Sequence, residues 1–419
     1  VRELADAIIR TALDAADPKR AMERAWAGVE GACRVVAFGK ASRDMLAVVM
    51  ERCEGRLTEG VIATDQPERV PSHSWLKAMP ADHPLSTARN MEAAEAIAAC
   101  VRGAPAEETL IALVSGGGSA HLAAPMPPIT LDDLSALWRA LAMAGSTIRE
   151  LNVVRRHVER YKGGRLASMC RARAIEVFVL SDVMGDSLHD IASGPFAPDP
   201  TTFADACRVL EARGTSHVPP AITRHLEAGM RGEHPETPKP GDPIFDRVRH
   251  HIIGSNRLCV DAIAAMLEAR GIAVSERRYD AQGEAHEWAA WLGERARRPG
   301  DGDRPRAWII GGEPVVRVGV GHGRGGPSQE VALHAARLMA GSGGMMLVAL
   351  STDGVDGPTE YAGGVVDGAT WSRAVELGLE PEAALAAHES TRVHEGLGTM
   401  IYTNPTGTNL NHVAVLVAS

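Results

Sequence analysis

Five small residues, Ser115-Gly116-Gly117-Gly118-Ser119, follow the apolar run LIALV. Three residues without Cβ permit a turn whose backbone N–H groups approach an anion closely, and the flanking hydroxyls add further donors. A phosphate or carboxylate cradle is expected there, the plainer alternative being a tight strand-to-helix turn. It is not a Walker A loop, because no GxxxxGK[ST] spacing occurs. Lys40 lies in FGKAS, between the run RVVAF and a helical pattern. From there an ammonium reaches a phosphate bound at a sheet edge. Asp182 ends the run VFVLSD, and Asp186 and Asp190 follow at spacings of four. Carboxylates so placed suit Mg2+, which favours oxygen ligands, or take a proton from a substrate hydroxyl. Acids at a helix N-terminus are also common as simple stabilisers, and only Asp182 has the strand-end position that argues for more. Asp353 and Asp356 in STDGVDGPT repeat the pattern.

GVGHGRGGPSQE contains a GxGxxG match at Gly321, Gly323 and Gly326 ahead of a helix. The dinucleotide form of this fingerprint expects an acid about 20 residues on, where MMLVA has none. Arg324 within it is more informative, since a planar guanidinium suits phosphoryl oxygens. The run NVVRRHVERYKGGRL carries Arg155, Arg156, Arg160, Lys162 and Arg165. A solvated helical face is the ordinary reading of such a run, and a substrate-carboxylate role for one member is the sharper one. No HExxH pair and no GxSxG elbow occurs, which disfavours a zinc enzyme and a serine hydrolase.

These residues need elements to hold them. CRVVAF, GVIAT, TLIALV, AIEVFVL, HIIG, AWIIGG and MMLVALS each run into Gly, Ser or Asp and are followed by helical patterns, an alternation that predicts parallel strands with crossover helices. Thr130 with Asp133, and Thr202 with Asp205, have capping-box spacing. The Pro-, Gly- and charge-rich stretch 229–243 places a domain boundary, giving residues 1–240 as a large doubly wound domain and 241–419 as a smaller α/β domain. RARRPGDGDRPR reads as an exposed loop in the latter. The length of 419 residues fits two or three domains, and the 43 glycines fit many tight turns. With 53 acidic against 44 basic side chains the net charge is -9, which gives no footprint for nucleic acid or an anionic membrane. Six dispersed cysteines without a CxxC pair, no signal-like h-region in VRELADAIIRTALDAADP and no long apolar run lead us to expect a reducing, cytoplasmic setting without a membrane span.

Taken together, FGKAS, LVSGGGSAHL, NVVRRHVERYKGGRLA, SDVMGDSLHDIASGP, IIGSN, GGEP, GRGGPSQE, TDGVDGPT and PTGTNLN resemble, in this order, the type II glycerate 2-kinases that carry a MOFRL domain. The resemblance spans nearly the whole chain. It implies a large Rossmann-like domain facing a smaller α/β domain across a cleft, with ATP phosphorylating the 2-hydroxyl of D-glycerate in the presence of Mg2+. It further implies Lys40, Asp182 and Arg324 as catalytic residues, and Ser115, Gly116, Gly117, Gly118, Ser119, Asn256, Glu313 and Asp353 as substrate- or nucleotide-binding residues. Of the carboxylates in SDVMGDSLHD, Asp186 is the one expected to hold a metal. A homo-oligomer stays open, as does an NAD(P)-dependent hydroxypyruvate reductase, a label some members carry. This chain departs from the family pattern at Met184-Gly185-Asp186-Ser187 for Pro-Gly-Asp-Asp, Phe196 for Thr, Pro327-Ser328 for Arg-Asn and His412 for Asp.

Overall fold

The computed structural model describes residues 2–214, 217–296, 304–319 and 321–419. Most of the loop expected at 295–306 lies outside them. The chain divides into two compact units, residues 22–253 and residues 1–21 with 254–419.

In the unit 22–253 the strands are β1 (Cys33–Phe38), β2 (Leu57–Thr64), β3 (Leu76–Pro80), β4 (Thr109–Val114), β5 (Ala174–Leu180) and β6 (Val248–Gly254), in the spatial order β3-β2-β1-β4-β5-β6. β1 to β5 pair in parallel, with Phe38 opposite Val114 and Val114 opposite Val179. All of β4 is buried, which explains its unbroken apolar run: a parallel strand covered on both faces has no polar side. This strand order is that of the doubly wound dinucleotide-binding folds, and it reverses direction between β1 and β4.

The helices Leu131–Met143, Ile148–Val158, Phe203–Ala212 and Pro220–Met230 form a core of their own around Leu137, Leu141, Val154, Phe203 and Leu226. The expected Thr130–Asp133 and Thr202–Asp205 capping boxes start two of these helices, and Thr147–Glu150 starts a third. Each box satisfies N–H groups that a helix start otherwise leaves without partners.

The second sheet has the order β11-β10-β9-β12-β8-β7, from β7 (Ala273–Glu284), β8 (Arg306–Val315), β9 (Met345–Ser351), β10 (Gly363–Asp367), β11 (Met400–Ile401) and β12 (His412–Ala418). Only β7 and β8 pair in parallel; β12 lies antiparallel between β8 and β9, and β10 is antiparallel to β9. The expectation of parallel strands throughout is therefore corrected. A loop rather than a crossover helix joins β9 to β10, and such a connection suits an antiparallel pair.

The boundary at 240/241 also moves. The stretch 229–243 is tied into the first unit: Thr237 Oγ1 donates to Asp199 Oδ2 (2.9 Å), Phe203 N donates to Glu236 Oε1 (3.0 Å), and β6 then joins the first sheet. Its composition marks exposure to water, not a change of domain. At the other end, the helix Arg2–Ala16 belongs with 254–419, burying Ala5, Ile8 and Ala12 on the helix Asn256–Ala269. No helix among the described residues is long and apolar enough to cross a membrane.

Candidate active site

The ends of β1, β4 and β5 lie side by side at the reversal of strand order, and the three candidate segments are the residues that leave them. Ligands of open α/β sheets bind at such a switch point. Lys40 N donates to Gly116 O (2.9 Å), and Ala41 N donates to Ser115 Oγ (3.0 Å), so the FGK turn and the glycine loop are sewn together. The Lys40 side chain is exposed. A Cβ on Gly116 would overlap the Asp182 carboxylate, so this residue is glycine to let Asp182 come close. Gly117 has φ 83°, and a Cβ there would stand 3.3 Å from Lys40 Cγ and 3.1 Å from His83 Cδ2. Lys40, Gly116, Gly117 and Asp182 thus share one locus.

Ser115 is buried and its hydroxyl is taken by Ala41, which makes it a brace of the turn. Gly118 packs on Phe38 and Ala192. Ser119 Oγ lies 2.9 Å from Ser193 Oγ, and its carbonyl accepts from Lys162 Nζ (2.6 Å). Lys162 is fully buried, and burial brings its pKa down to about 8.

Beneath the loop, Ala192, Ser193 and Gly194 all have positive φ (49°, 61° and 62°). Two successive non-glycine residues in this region cost of order 1–3 kcal/mol each, and such strain gathers at functional sites. The bonds that hold them are Gly163 N to Ser193 O (3.0 Å), Gly164 N to Gly194 O (2.7 Å) and Ser193 Oγ to Asn152 Oδ1 (3.0 Å). Sequence reasoning missed this element because Ala and Ser carry no signal for a left-handed conformation.

The basic run separates by environment. Arg156 is buried between Asp190 (3.0 Å) and Asp199 (2.9 Å), which assigns Asp190 to the scaffold. Arg160 pairs with Glu95, and Arg165 donates to the backbone carbonyls of Arg156 and Glu159. Arg155 alone of the run lines a cavity, of about 400 Å³, which also touches Gly117 and Ser119.

Asp186 sits in the turn after Asp182 with φ 50°. Among the described residues no group of three or more His, Cys, Asp or Glu is placed to hold a metal. Magnesium held by one or two carboxylates and by substrate phosphates needs no such cage, and the carboxylate oxygens of Asp186 fit that mode.

Arg324, Asn256, Glu313 and Asp353 belong to the other unit. The Arg324 guanidinium is 45% exposed and pairs with Glu360 and with Glu395 (3.0 Å). Asn256 is buried and donates to the carbonyls of Leu410 (2.8 Å) and His412 (3.0 Å), tying a helix start to β12. Glu313 is exposed on β8, and Asp353 Oδ1 accepts from Ser351 Oγ (2.6 Å) and Val355 N (3.0 Å). Asp356 caps the helix Pro327–Leu338, accepting from Ser328 N (2.9 Å) and Gln329 N (2.8 Å). Two departures from the family pattern meet here: Ser328 Oγ lies 2.8 Å from His412 Nδ1.

The GxGxxG match is a packing device. β8 ends at Val315 and the next helix starts only at Pro327, so there is no tight strand-to-helix turn. Gly323 and Gly326 lie where a Cβ would strike Glu389 and Asp356.

Glu330, on the helix that Asp356 caps, is 2% exposed, and its Oε1 has no hydrogen-bond partner among the described residues. Burial and the neighbouring Asp356 charge push its pKa up to about 7. The folded state then holds a proton that the unfolded state, with Glu near 4.3, has released, so stability falls as pH rises from about 4 to 7. At full effect the slope approaches one proton, about 1.4 kcal/mol per pH unit. Burial pushes the adjoining Asp356 up to about 7 as well, so the two carboxyls share this dependence. Urea unfolding across this range should show it, and Glu330→Gln should make the slope shallower; an unchanged slope in the variant would assign the pH dependence to Asp356 or elsewhere.

The fold and the locus at its switch point define a doubly wound α/β protein with a candidate ligand site at the ends of its first sheet, and comparison with known proteins narrows this. Residues 4–227 match a family described as a domain of unknown function (DUF4147), and residues 306–412 match the MOFRL family. The chain is 33% identical over 443 residues to a glycerate 2-kinase of Pyrococcus horikoshii, covering 100% of this chain and 98% of that one. It is 31% identical over 420 residues to a D-glycerate 2-kinase of Thermotoga maritima, covering 99% and 98%. The crystal structure of glycerate kinase from Thermotoga maritima superposes with a TM-score of 0.89 over 100% of this chain and 99% of that one. The chain belongs to the glycerate 2-kinase family.

Proposed function

We propose that this protein is an ATP-dependent glycerate 2-kinase that converts D-glycerate and ATP to 2-phosphoglycerate and ADP. The observation that carries the reading is the shared locus of Lys40, the glycine loop and Asp182 at the switch point of the first sheet. Family membership supplies the reaction class. Phosphoryl transfer asks little covalent chemistry of a protein; it asks for alignment and for cancellation of negative charge.

The Asp182 carboxylate accepts the proton of the substrate 2-hydroxyl as that oxygen bonds to the γ-phosphorus. The bond from the γ-phosphorus to the bridging oxygen breaks, and its electron pair leaves with ADP. Lys40 and Arg324 supply positive charge to the phosphoryl oxygens, and the backbone N–H groups of the glycine loop bind an anionic group of the substrates. Magnesium, held by Asp186 together with the nucleotide, would neutralise phosphate charge. The reductase reading loses its motif with the GxGxxG match, and no other residue of the site speaks for it.

Phosphorus NMR of the product formed from ATP and D-glycerate tests the reaction and its regiochemistry. A resonance for 2-phosphoglycerate is expected; hydroxypyruvate-dependent NADH oxidation without ATP consumption would overturn the reading. Lys40→Met should lower kcat at least about 10²-fold. Because the side chain is exposed, its melting temperature should stay near that of the parent. Near-normal turnover in the folded variant would remove Lys40 from the catalytic set.

A further inference from the structure

The cavity beside the glycine loop is lined by two arginines that the scheme above does not use, the exposed Arg139 and the desolvated Arg155. Its floor is formed by Gly117 and Ser119, and its far wall by Leu131, Leu134 and Trp138. The Arg155 side chain is only 17% exposed. Its Cζ lies 4.5 Å from the centroid of the Trp138 ring, Nε is 3.5 Å from Glu159 Oε1, and one Nη donates to Asn152 Oδ1 (3.3 Å). A guanidinium has five N–H donors on three nitrogens, and these contacts engage two of the nitrogens.

The surrounding charge does not balance. Glu159 is shared between Arg155 and the buried Lys162, whose Nζ lies 4.0 Å from Glu159 Oε2. Two desolvated cations therefore face one carboxylate, and a buried charge without a counter-charge is costly. One further anion in the cavity would neutralise the group. The cavity is also mostly closed to a flat base at its aromatic wall, because the guanidinium covers a face of Trp138. That favours a small acid over a nucleobase as occupant.

We propose that this cavity binds the acceptor of the phosphoryl group, a small 2-hydroxycarboxylic acid, through pairing of its carboxylate with Arg155. The inference rests on the kinase reading above and makes Arg155 a substrate-binding residue. Lys162 is then a positioning residue that holds the Ser119 carbonyl and completes the charge balance. The volume of about 400 Å³ exceeds the need of a three-carbon acid, so 2-hydroxy acids with longer chains should enter beside Leu131 and Leu134.

Initial-rate kinetics of Arg155→Met and Arg155→Lys test this. The Met variant should raise KM for D-glycerate by roughly 30-fold or more, since a charge-assisted hydrogen bond to its carboxylate is lost. The KM for ATP should stay within about threefold, and the Lys variant should recover part of the loss because it keeps the charge without the fork. Glyceramide, which lacks the carboxylate, should be a poor acceptor for the parent and no poorer for the Met variant. A rise in KM for ATP alone would give the cavity to the nucleotide, and unchanged KM values would make Arg155 a scaffold residue; either overturns the proposal. If the Met variant fails to fold, the Lys variant decides, and equal KM values for it and the parent overturn the proposal. Should the parent fail to phosphorylate D-glycerate, the kinase reading falls. The cavity is then judged by melting temperature, which D-glycerate should raise in the parent and not in Arg155→Met.

Discussion

Asp182→Asn should lower kcat by roughly 10²- to 10⁴-fold, the usual contribution of a positioned general base, while KM for ATP changes little. The amide keeps the shape of the carboxylate, so its fit against Gly116 survives and the fold is retained. What it loses is the ability to take a proton. Gly116→Ala offers an independent view of the same contact. Its methyl group would displace the carboxylate, so turnover should fall although no acidic residue has been changed. If Asp182→Asn turns over at close to the parent's rate, the hydroxyl proton goes to another group or to water, and the role assigned to Asp182 is wrong.

Arg324→Ala should cost about 10³-fold or more in kcat, the scale of an arginine that meets a phosphoryl transition state. The structure makes this a clean test. Arg324 is exposed, and its pairs with Glu360 and Glu395 are surface pairs of the kind that contribute little to stability, so melting temperature should barely change. Arg324→Lys should restore only a fraction of the rate, because an ammonium lacks the planar fork that matches phosphoryl oxygens. Measured kcat and the separate KM values decide the matter. An effect confined to KM for D-glycerate would make Arg324 a ground-state binding residue and remove it from the transition state.

The switch-point locus was legible because its signals are local. A strand buried on both faces reads as an unbroken apolar run, as LIALV does, and the residues that leave such a strand stand at a sheet edge whatever the rest of the chain does. What was not legible depends on partners remote in sequence. Arg155 and Arg156 are adjacent and chemically identical, yet one faces a cavity and the other is buried between Asp190 and Asp199. Successive positions on a helix point about 100° apart, and only the neighbouring layers decide which direction is wet. Asn256 and Asp356 have the residue types of ligands and are spent on holding β12 and a helix start. The glycines at 323 and 326 serve close packing against segments that lie far along the chain. The antiparallel insertion of β12 between β8 and β9 has the same origin, since its partners precede it by many residues.

The docking of the helix Arg2–Ala16 on the helix Asn256–Ala269 has a consequence for biosynthesis. The helix Arg2–Ala16 buries its apolar face on a partner translated more than two hundred residues later. Residues 22–253, by contrast, have their whole sheet in hand once β6 has emerged. Domains fold as units while synthesis proceeds at about 5–20 residues per second, so this helix waits roughly ten seconds or more for that partner. Ala5, Ala7, Ile8 and Ala12 are then exposed in the nascent chain, and that stretch offers a chaperone an apolar foothold.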